Sequence, residues 1–479
     1  MDDARKLLLE TRVKALGSIS SSSLVQLLDT STVGQALQVL AENRILSAPV
    51  IAPDDDGLAE GAKWPAHLPN SDIMGFVCVN DILTSFLECY YGEFGDAEYS
   101  NNLCNRHGSS PFGRHPAAAA ASDAAASGAL NGGSMLARMR QLEAMGQRFA
   151  RQQLRHLTCK GCDGDFLHSR HAGEATLLEL VMYGFLDPKR RGMHEGEQQA
   201  RVVHRVAFFD NSGRVTSVIS QSDICRFLAA HVDRLGPLAE ATVSELGWDC
   251  KPVVSCTPET PALEAMRLMV SEGVSSLAVV AGQRANEAGP EADSADPEGP
   301  AEPRVGGRLL GNFSASEMRT MTAEHFGALS LPVGEFLALE NETEYVAVNR
   351  ERLLSEEGLV GSPAHDFICN RLRRVRPHAP GEDVGQRLVV ATGTNTFAEV
   401  VELLVRHCIH RVYVVDEHEV PVGIVTCTDI LRKVVEVATA AAPLSPSASP
   451  AAGAAAAAHR HEWHQRHHGS PQGAQEQQC

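Results

Sequence analysis

Positive charge is in short supply. Lys and Arg number 42 against 60 Asp and Glu, a formal net charge of −18. Such a surface is not built to track nucleic-acid phosphates, although a local basic pocket stays compatible with it. Long hydrophobic runs are also missing. No apolar stretch approaches the roughly 18–20 residues that cross a bilayer, and no basic segment with an apolar core opens the chain. The sequons at Asn312 and Asn341 carry no weight without a secretory signal. No phosphate loop, dinucleotide fingerprint or nucleophile elbow occurs. These absences lead us to expect a cytoplasmic or nuclear protein with no nucleic-acid or membrane partner.

What is present is a globular composition, 43% hydrophobic and 21% charged, over 479 residues. That is long enough for two or more domains with their own cores. Twelve cysteines are scattered along the chain. Cys78, Cys225, Cys408 and Cys427 fall inside predicted strands or helices and are expected to be small buried hydrophobes. Cys159 and Cys162 with His168 and His171 are zinc-type ligands, but the span from Cys162 to His168 is much shorter than in a finger and the segment reads as loop. The tail histidines His459, His461, His464, His467 and His468 suit adventitious metal binding. No metal or cofactor is expected.

The most informative stretch is His410 to Val434, HRVYVVDEHEVPVGIVTCTDILRKV. An apolar strand, a polar turn from Asp416 to Glu419 and a second strand lead to Thr426-Cys427-Thr428-Asp429, where a helix begins. Two hydroxyls and a carboxylate thus sit beside the open amides of a helix start. His204 to Leu228, HRVAFFDNSGRVTSVISQSDICRFL, aligns with it without a gap. His-Arg, the turn Asp and the final Ser/Thr-x-Ser/Thr-Asp coincide, which marks an internal repeat.

Read in order, the chain offers four β-α-β-β-α units. A lead-in helix (5–16) and the first repeat occupy 1–95, with strands 24–28, 48–51 and 73–79 and helices 32–43 and 81–90. The junction Cys78-Val79-Asn80-Asp81 keeps the carboxylate and lacks the paired hydroxyls. Residues 96–164 hold a low-complexity insertion, expected to be disordered, and then an amphipathic basic helix (134–157). In that helix Met135, Met139, Leu142, Met145 and Phe149 recur near helical spacing among five arginines. It reads either as a helix packed on the domain or as a docking helix. The second repeat spans 165–236, and the third spans 237–322 with a solvated acidic loop at 281–307. The linker and fourth repeat span 323–437, and an Ala/His-rich disordered tail spans 438–479. Loops of different lengths fall between strands or units, where they are tolerated.

A tandem β-α-β-β-α unit ending in G-x-(I/V)-(T/S)-x-(T/S)-D resembles the CBS domain. Gly423 to Asp429 fit that ending well, and Ser220-Gln221-Ser222-Asp223 nearly as well. Four such repeats are similar to the gamma regulatory subunit of AMP-activated and plant sucrose-nonfermenting-related protein kinases. Leu329 to Phe336, LSLPVGEF, is similar to that family's linker into its last repeat, and Ser217 to Ile224 looks like the plant gamma-like branch. The resemblance implies an α/β fold of four CBS repeats arranged as two tandem pairs (Bateman modules).

It also implies adenine nucleotides, AMP, ADP or ATP, in clefts between paired repeats. The helix-start carboxylate would take the ribose hydroxyls, giving Asp81, Asp223 and Asp429. Neighbouring hydroxyls and the His-Arg pair would meet phosphates, giving Ser220, Ser222, Thr426, Thr428, His204, Arg205, His410 and Arg411; the arginine fork suits phosphate. Each residue also has a plainer reading. Asp223 and Asp429 would cap their helices, and His204 and His410 would be partly buried, hydrogen-bonded strand-start residues. Unit three departs from the pattern, with Glu317 for Asp and Ser276-Leu277 near the His-Arg position. Unit one has Ala48-Pro49 there.

The resulting expectation is a non-catalytic, nucleotide-sensing subunit whose partners are kinase catalytic and beta-type subunits. A nucleotide-independent scaffold and a homodimer of paired repeats stay open. An enzyme is disfavoured, because repeats, insertions and tails account for the whole chain.

Overall fold

Thr32, Thr176 and Thr396 each accept a hydrogen bond from the backbone N–H three residues on, while Gln35, Glu179 and Glu399 reach back to the threonine N–H. This reciprocal box satisfies donors that a helix start leaves open, and losing such a cap costs about 0.5–2 kcal/mol. It fixes where the first helix of units one, two and four begins: Val33–Glu42, Leu177–Glu179 and Phe397–Arg406. The second of these continues as a π-helix, Leu180–Leu186. In unit three Pro261 precedes Ala262–Glu272, and its side chain makes no cap bond. The computed structural model describes residues 2–16, 24–51, 76–94, 135–157, 164–168, 175–186, 202–209, 215–281, 307–337, 339, 360–375 and 388–440. Residues 282–306 of the acidic loop, the whole of 96–134 and the tail from 441 lie outside these residues, as do Cys159, Cys162 and His171.

Each unit builds a three-stranded sheet in which the central strand pairs parallel with the first and antiparallel with the third. Units three and four repeat the pattern. The chain is thus α/β throughout. The antiparallel register sets Ser47 against Cys78, Arg205 against Ser220, Ser276 against Ser314 and Arg411 against Thr426. The positions equivalent to His-Arg are therefore Leu46-Ser47 in unit one and Ser275-Ser276 in unit three, two residues and one residue earlier, respectively, than the sequence reading placed them. A one-residue slip would have turned every side chain to the other face of the sheet.

Several expected elements shift. The first strands are two residues long in units one, three and four: Leu27–Leu28, Ser255–Cys256 and Val390–Ala391. The segment around His168, read as loop, is a strand, Gly164–His168, pairing with Arg205–Phe209. A helix at Pro363–Val375 lies in what read as linker. Cys78, Cys225 and Cys427 are buried as expected, but Cys408 is exposed. It sits just past the helix that ends at Arg406, with φ 52°, where a helix end turns outward to solvent.

Four isolated bridges show how the units are tied: Arg12 to Thr176, Thr32 to Gln153, Thr242 to Thr396 and Pro261 to Pro332. In every case the segment leading into one unit pairs with the start of its tandem mate's first helix. The lead-in helix Asp2–Glu10, assigned with the first repeat, accordingly packs on units two and four, alongside Cys427–Ala440. The basic helix Met135–Phe149, which leads into unit two, packs on units one and three, burying Met139, Leu142, Met145 and Phe149.

Two large cores result. One joins the helices of units one and three, the other those of units two and four. Between tandem mates the sheets meet instead. Phe76 packs with Ala207 and Val215, and Ala278, Val280 and Leu309 pack with Tyr413 and Val415. Every unit therefore has two neighbours, one through its sheet and one through its helices.

Candidate functional site

The third strand of each unit turns directly into a helix, and the local chemistry of that turn is the same in three units. Asp429 Oδ2 accepts the Thr426 backbone N–H at 2.8 Å and the Thr426 hydroxyl at 2.7 Å. Asp223 Oδ2 accepts the same pair of bonds from Ser220, both at 2.7 Å. Asp81 Oδ2 accepts the Cys78 N–H at 2.9 Å, so the unit that lacks hydroxyls still closes the cap. The plainer reading of Asp223 and Asp429 is thus realised, and all three carboxylates cap their helices. Ser220 and Thr426 spend their hydroxyls on the same cap. Glu317 of unit three sits in a short 3-10 turn, Ala315–Met318, whose start has no side-chain cap bond from Ser314.

The other two hydroxyls face across the core that joins units two and four. Ser222 Oγ lies 3.0 Å from His410 Nδ1, and the Thr428 hydroxyl donates to Gln221 Oε1 at 2.9 Å. The backbone N–H of Gln221 is bonded to the His204 carbonyl and that of Cys427 to the His410 carbonyl, so both histidines anchor equivalent turns. His204 itself is exposed. Cys225 and Cys427 meet in the same seam. The hydrogen bond from Cys225, then His410 and Ser222, hold the Cys427 thiol below its ordinary value despite burial, and the Cys225 thiol is pushed up. Among the described residues, no cluster of three or more His, Cys, Asp or Glu side chains could hold a metal ion.

The arginines differ from these satisfied groups. Nη1 of Arg411 and Nε of Arg319 are buried and have no hydrogen-bond partner. Burial lowers the pKa of Arg411, with Tyr413, Cys427 and Glu317 opposing. Burial also lowers that of Arg319; Glu317 opposes it, and the charge of Arg205 lowers it further. Glu317 of unit three thus acts on both Arg319 of its own unit and Arg411 of unit four, and Arg205 of unit two acts on Arg319. A guanidinium stays protonated in proteins, so this is positive charge concentrated where water is scarce. Arg319 was missed by the sequence reading, because it lies two residues past the repeat's final carboxylate and outside the motif.

Residues 243–289 and 382–436, which fall in units three and four, match the CBS domain family. The chain carries CBS domains. No curated protein matches it. Among solved structures, a protein of Methanocaldococcus jannaschii described as a proposed archaeal homologue of g-AMPK is similar to this CBS-domain protein. They share 15% identity over 88% of this chain and 99% of that one, with a TM-score of 0.44. An uncharacterised conserved protein from Pyrococcus horikoshii is similar at 13% identity over 48% of this chain and 69% of its own, TM-score 0.26. The CBS domain of a membrane protein from Sphaerobacter thermophilus is similar at 18% identity over 43% of this chain and 96% of its own, TM-score 0.22.

Proposed function

We propose that this CBS-domain protein is a non-catalytic regulatory subunit that senses adenine nucleotides and passes their occupancy to a protein kinase. One observation carries the nucleotide part: the buried guanidinium nitrogens of Arg319 and Arg411 without hydrogen-bond partners. An unsatisfied buried donor costs about 1–3 kcal/mol, and more when it is charged. A phosphate group would answer both donors, since its oxygens accept from several guanidinium N–H groups at once. The carboxylates of Asp223 and Asp429 stand at the matching helix starts of units two and four, where a ribose diol would donate to them. His204, Arg205 and His410 would add contacts around the phosphate. The kinase part rests on the sequence resemblance alone: the four-repeat layout, the Leu329–Phe336 segment and the Ser217–Ile224 motif. A nucleotide would change kinase activity only through unequal affinity for two arrangements of the complex.

A scaffold that binds no nucleotide is the second reading, and a specific observation favours it. Ser220, Ser222, Thr426 and Thr428 are all engaged in bonds within the protein. Calorimetric titration of the full chain with AMP, ADP and ATP separates the two. Binding is expected, and Arg411→Ala is expected to weaken it about tenfold or more, the range for a charged hydrogen bond. No heat with any of the three nucleotides would favour the scaffold.

A further inference from the structure

Asp429 has a partner from outside its own unit. Its Oδ2 is committed to Thr426, and its Oδ1 receives the Lys251 ammonium at 2.6 Å. Lys251 belongs to the segment leading into unit three. At the equivalent place in unit two, Asp223 Oδ1 pairs with Arg226 at 3.0 Å, one turn further along the same helix. The two carboxylates are alike in their caps and differ in what covers them.

The segment carrying Lys251 is laid down firmly. The N–H groups of Val243 and Ser244 bond to the carbonyls of Asn395 and Gly393 at 2.8 and 3.0 Å, just ahead of unit four's first helix. The Ser244 hydroxyl donates to Asp249 Oδ2 at 2.5 Å. Trp248 packs against Phe397 with ring centroids 6.0 Å apart, and the Lys251 ammonium lies 5.7 Å from the centre of the same indole. The Trp248 carbonyl rests on Gly423 so closely that any Cβ there would collide with it. Trp248 to Lys251 therefore run along unit four's third strand and end on its carboxylate.

We propose that Lys251 is a built-in competitor for Asp429, so that a ribose diol binds at unit four only when the 248–251 segment lets go. This rests on the nucleotide-binding function proposed above and names how one of its sites is regulated. With Oδ2 spent on the cap, Oδ1 is the acceptor a diol needs, and Lys251 holds it. The pair is partly covered, with 30% of the Lys251 and 16% of the Asp429 side chain exposed. A pair of this kind contributes about 1 kcal/mol, so removing the competitor should tighten binding about fivefold. Because the segment is also bonded ahead of unit four's first helix, release links the ligand to the strand that opens unit three.

The test titrates AMP into the full-length wild type, Lys251→Met, Lys251→Arg and Asp429→Ala, and follows the component lost in Asp429→Ala. Lys251→Met should tighten that component about fivefold, and Lys251→Arg should keep the wild-type affinity. AMP should also speed amide exchange at Ser244–Lys251 in the wild type. Detectable binding by Lys251→Met alone supports the proposal. An affinity unchanged or weakened in Lys251→Met overturns the competitor role and leaves the nucleotide function standing. Absence of AMP binding in both the wild type and Lys251→Met overturns both.

Discussion

Tyr413 shows how much a single side chain can depend on its setting. It is buried where the sheets of units three and four meet, and its hydroxyl donates to Asn312 Oδ1 at 3.1 Å and lies 3.3 Å from the Ser276 hydroxyl. Burial pushes its pKa from 10.0 up to about 12, against the pull of Ser276 and Arg411. A group whose folded pKa is raised gives stability that is complete below the unfolded value and is lost as pH climbs through the folded one. Between pH 10 and 12 the wild type is therefore expected to lose stability that Tyr413→Phe does not lose. Urea midpoints measured across that window should converge for the two proteins as pH rises. At this scale the sequence disclosed the carboxylates best, since Asp81, Asp223 and Asp429 recur at one register beside a strand end. It hid Arg319 and Lys251, whose roles come from three-dimensional neighbours. It also misplaced the counterparts of Arg205, by two residues in unit one and by one in unit three, because without paired strands nothing in the apolar run marks the register.

Among the elements, the packing of the basic helix Met135–Phe149 against the 3-10 segment Ala323–Ser330 is the tightest test of the fold. Phe326 sits 4.4 Å from the Phe86 ring and 6.1 Å from the Phe149 ring, and Gly146 leaves the space its side chain fills. A Cβ at position 146 would come within 2.5 Å of the Phe326 Cβ. Phe326→Ala is expected to cost about 3–5 kcal/mol, the range for emptying a buried aromatic site. Chemical denaturation would show it as a lower midpoint, and an effect under 1 kcal/mol would contradict the packing described. Helical periodicity exposed this helix in the sequence, whereas the two-residue strands were too short to carry any period. The strand Gly164–His168 escaped for another reason: its Gly-Asp-Phe-Leu-His sequence has neither β-branched residues nor alternation, and its pairing with Arg205–Phe209 defines it.

For the molecule as a whole, the crossed lead-ins and the two shared cores make each unit depend on two others. A partner recognising the assembled surface should therefore be captured by the intact chain. Affinity capture with kinase catalytic and beta-type subunits is expected to succeed, and to change when AMP is replaced by ATP. Capture indifferent to nucleotide would move the balance to the scaffold. The number of units was legible in the sequence, because loops vary while the junctions repeat. The way they interlock was not, since each bridge is a long-range backbone contact whose lead-in partners, Arg12, Gln153, Thr242 and Pro332, share no residue type.

The helices Asp2–Glu10 and Cys427–Ala440 lie side by side on the core of units two and four. The described residues nearest either end of the chain therefore lie on the same seam. Linked across that seam by a flexible tether and reopened between the strands Ser47–Ile51 and Phe76–Cys78, a circularly permuted chain would keep every sheet, both cores and all four bridges.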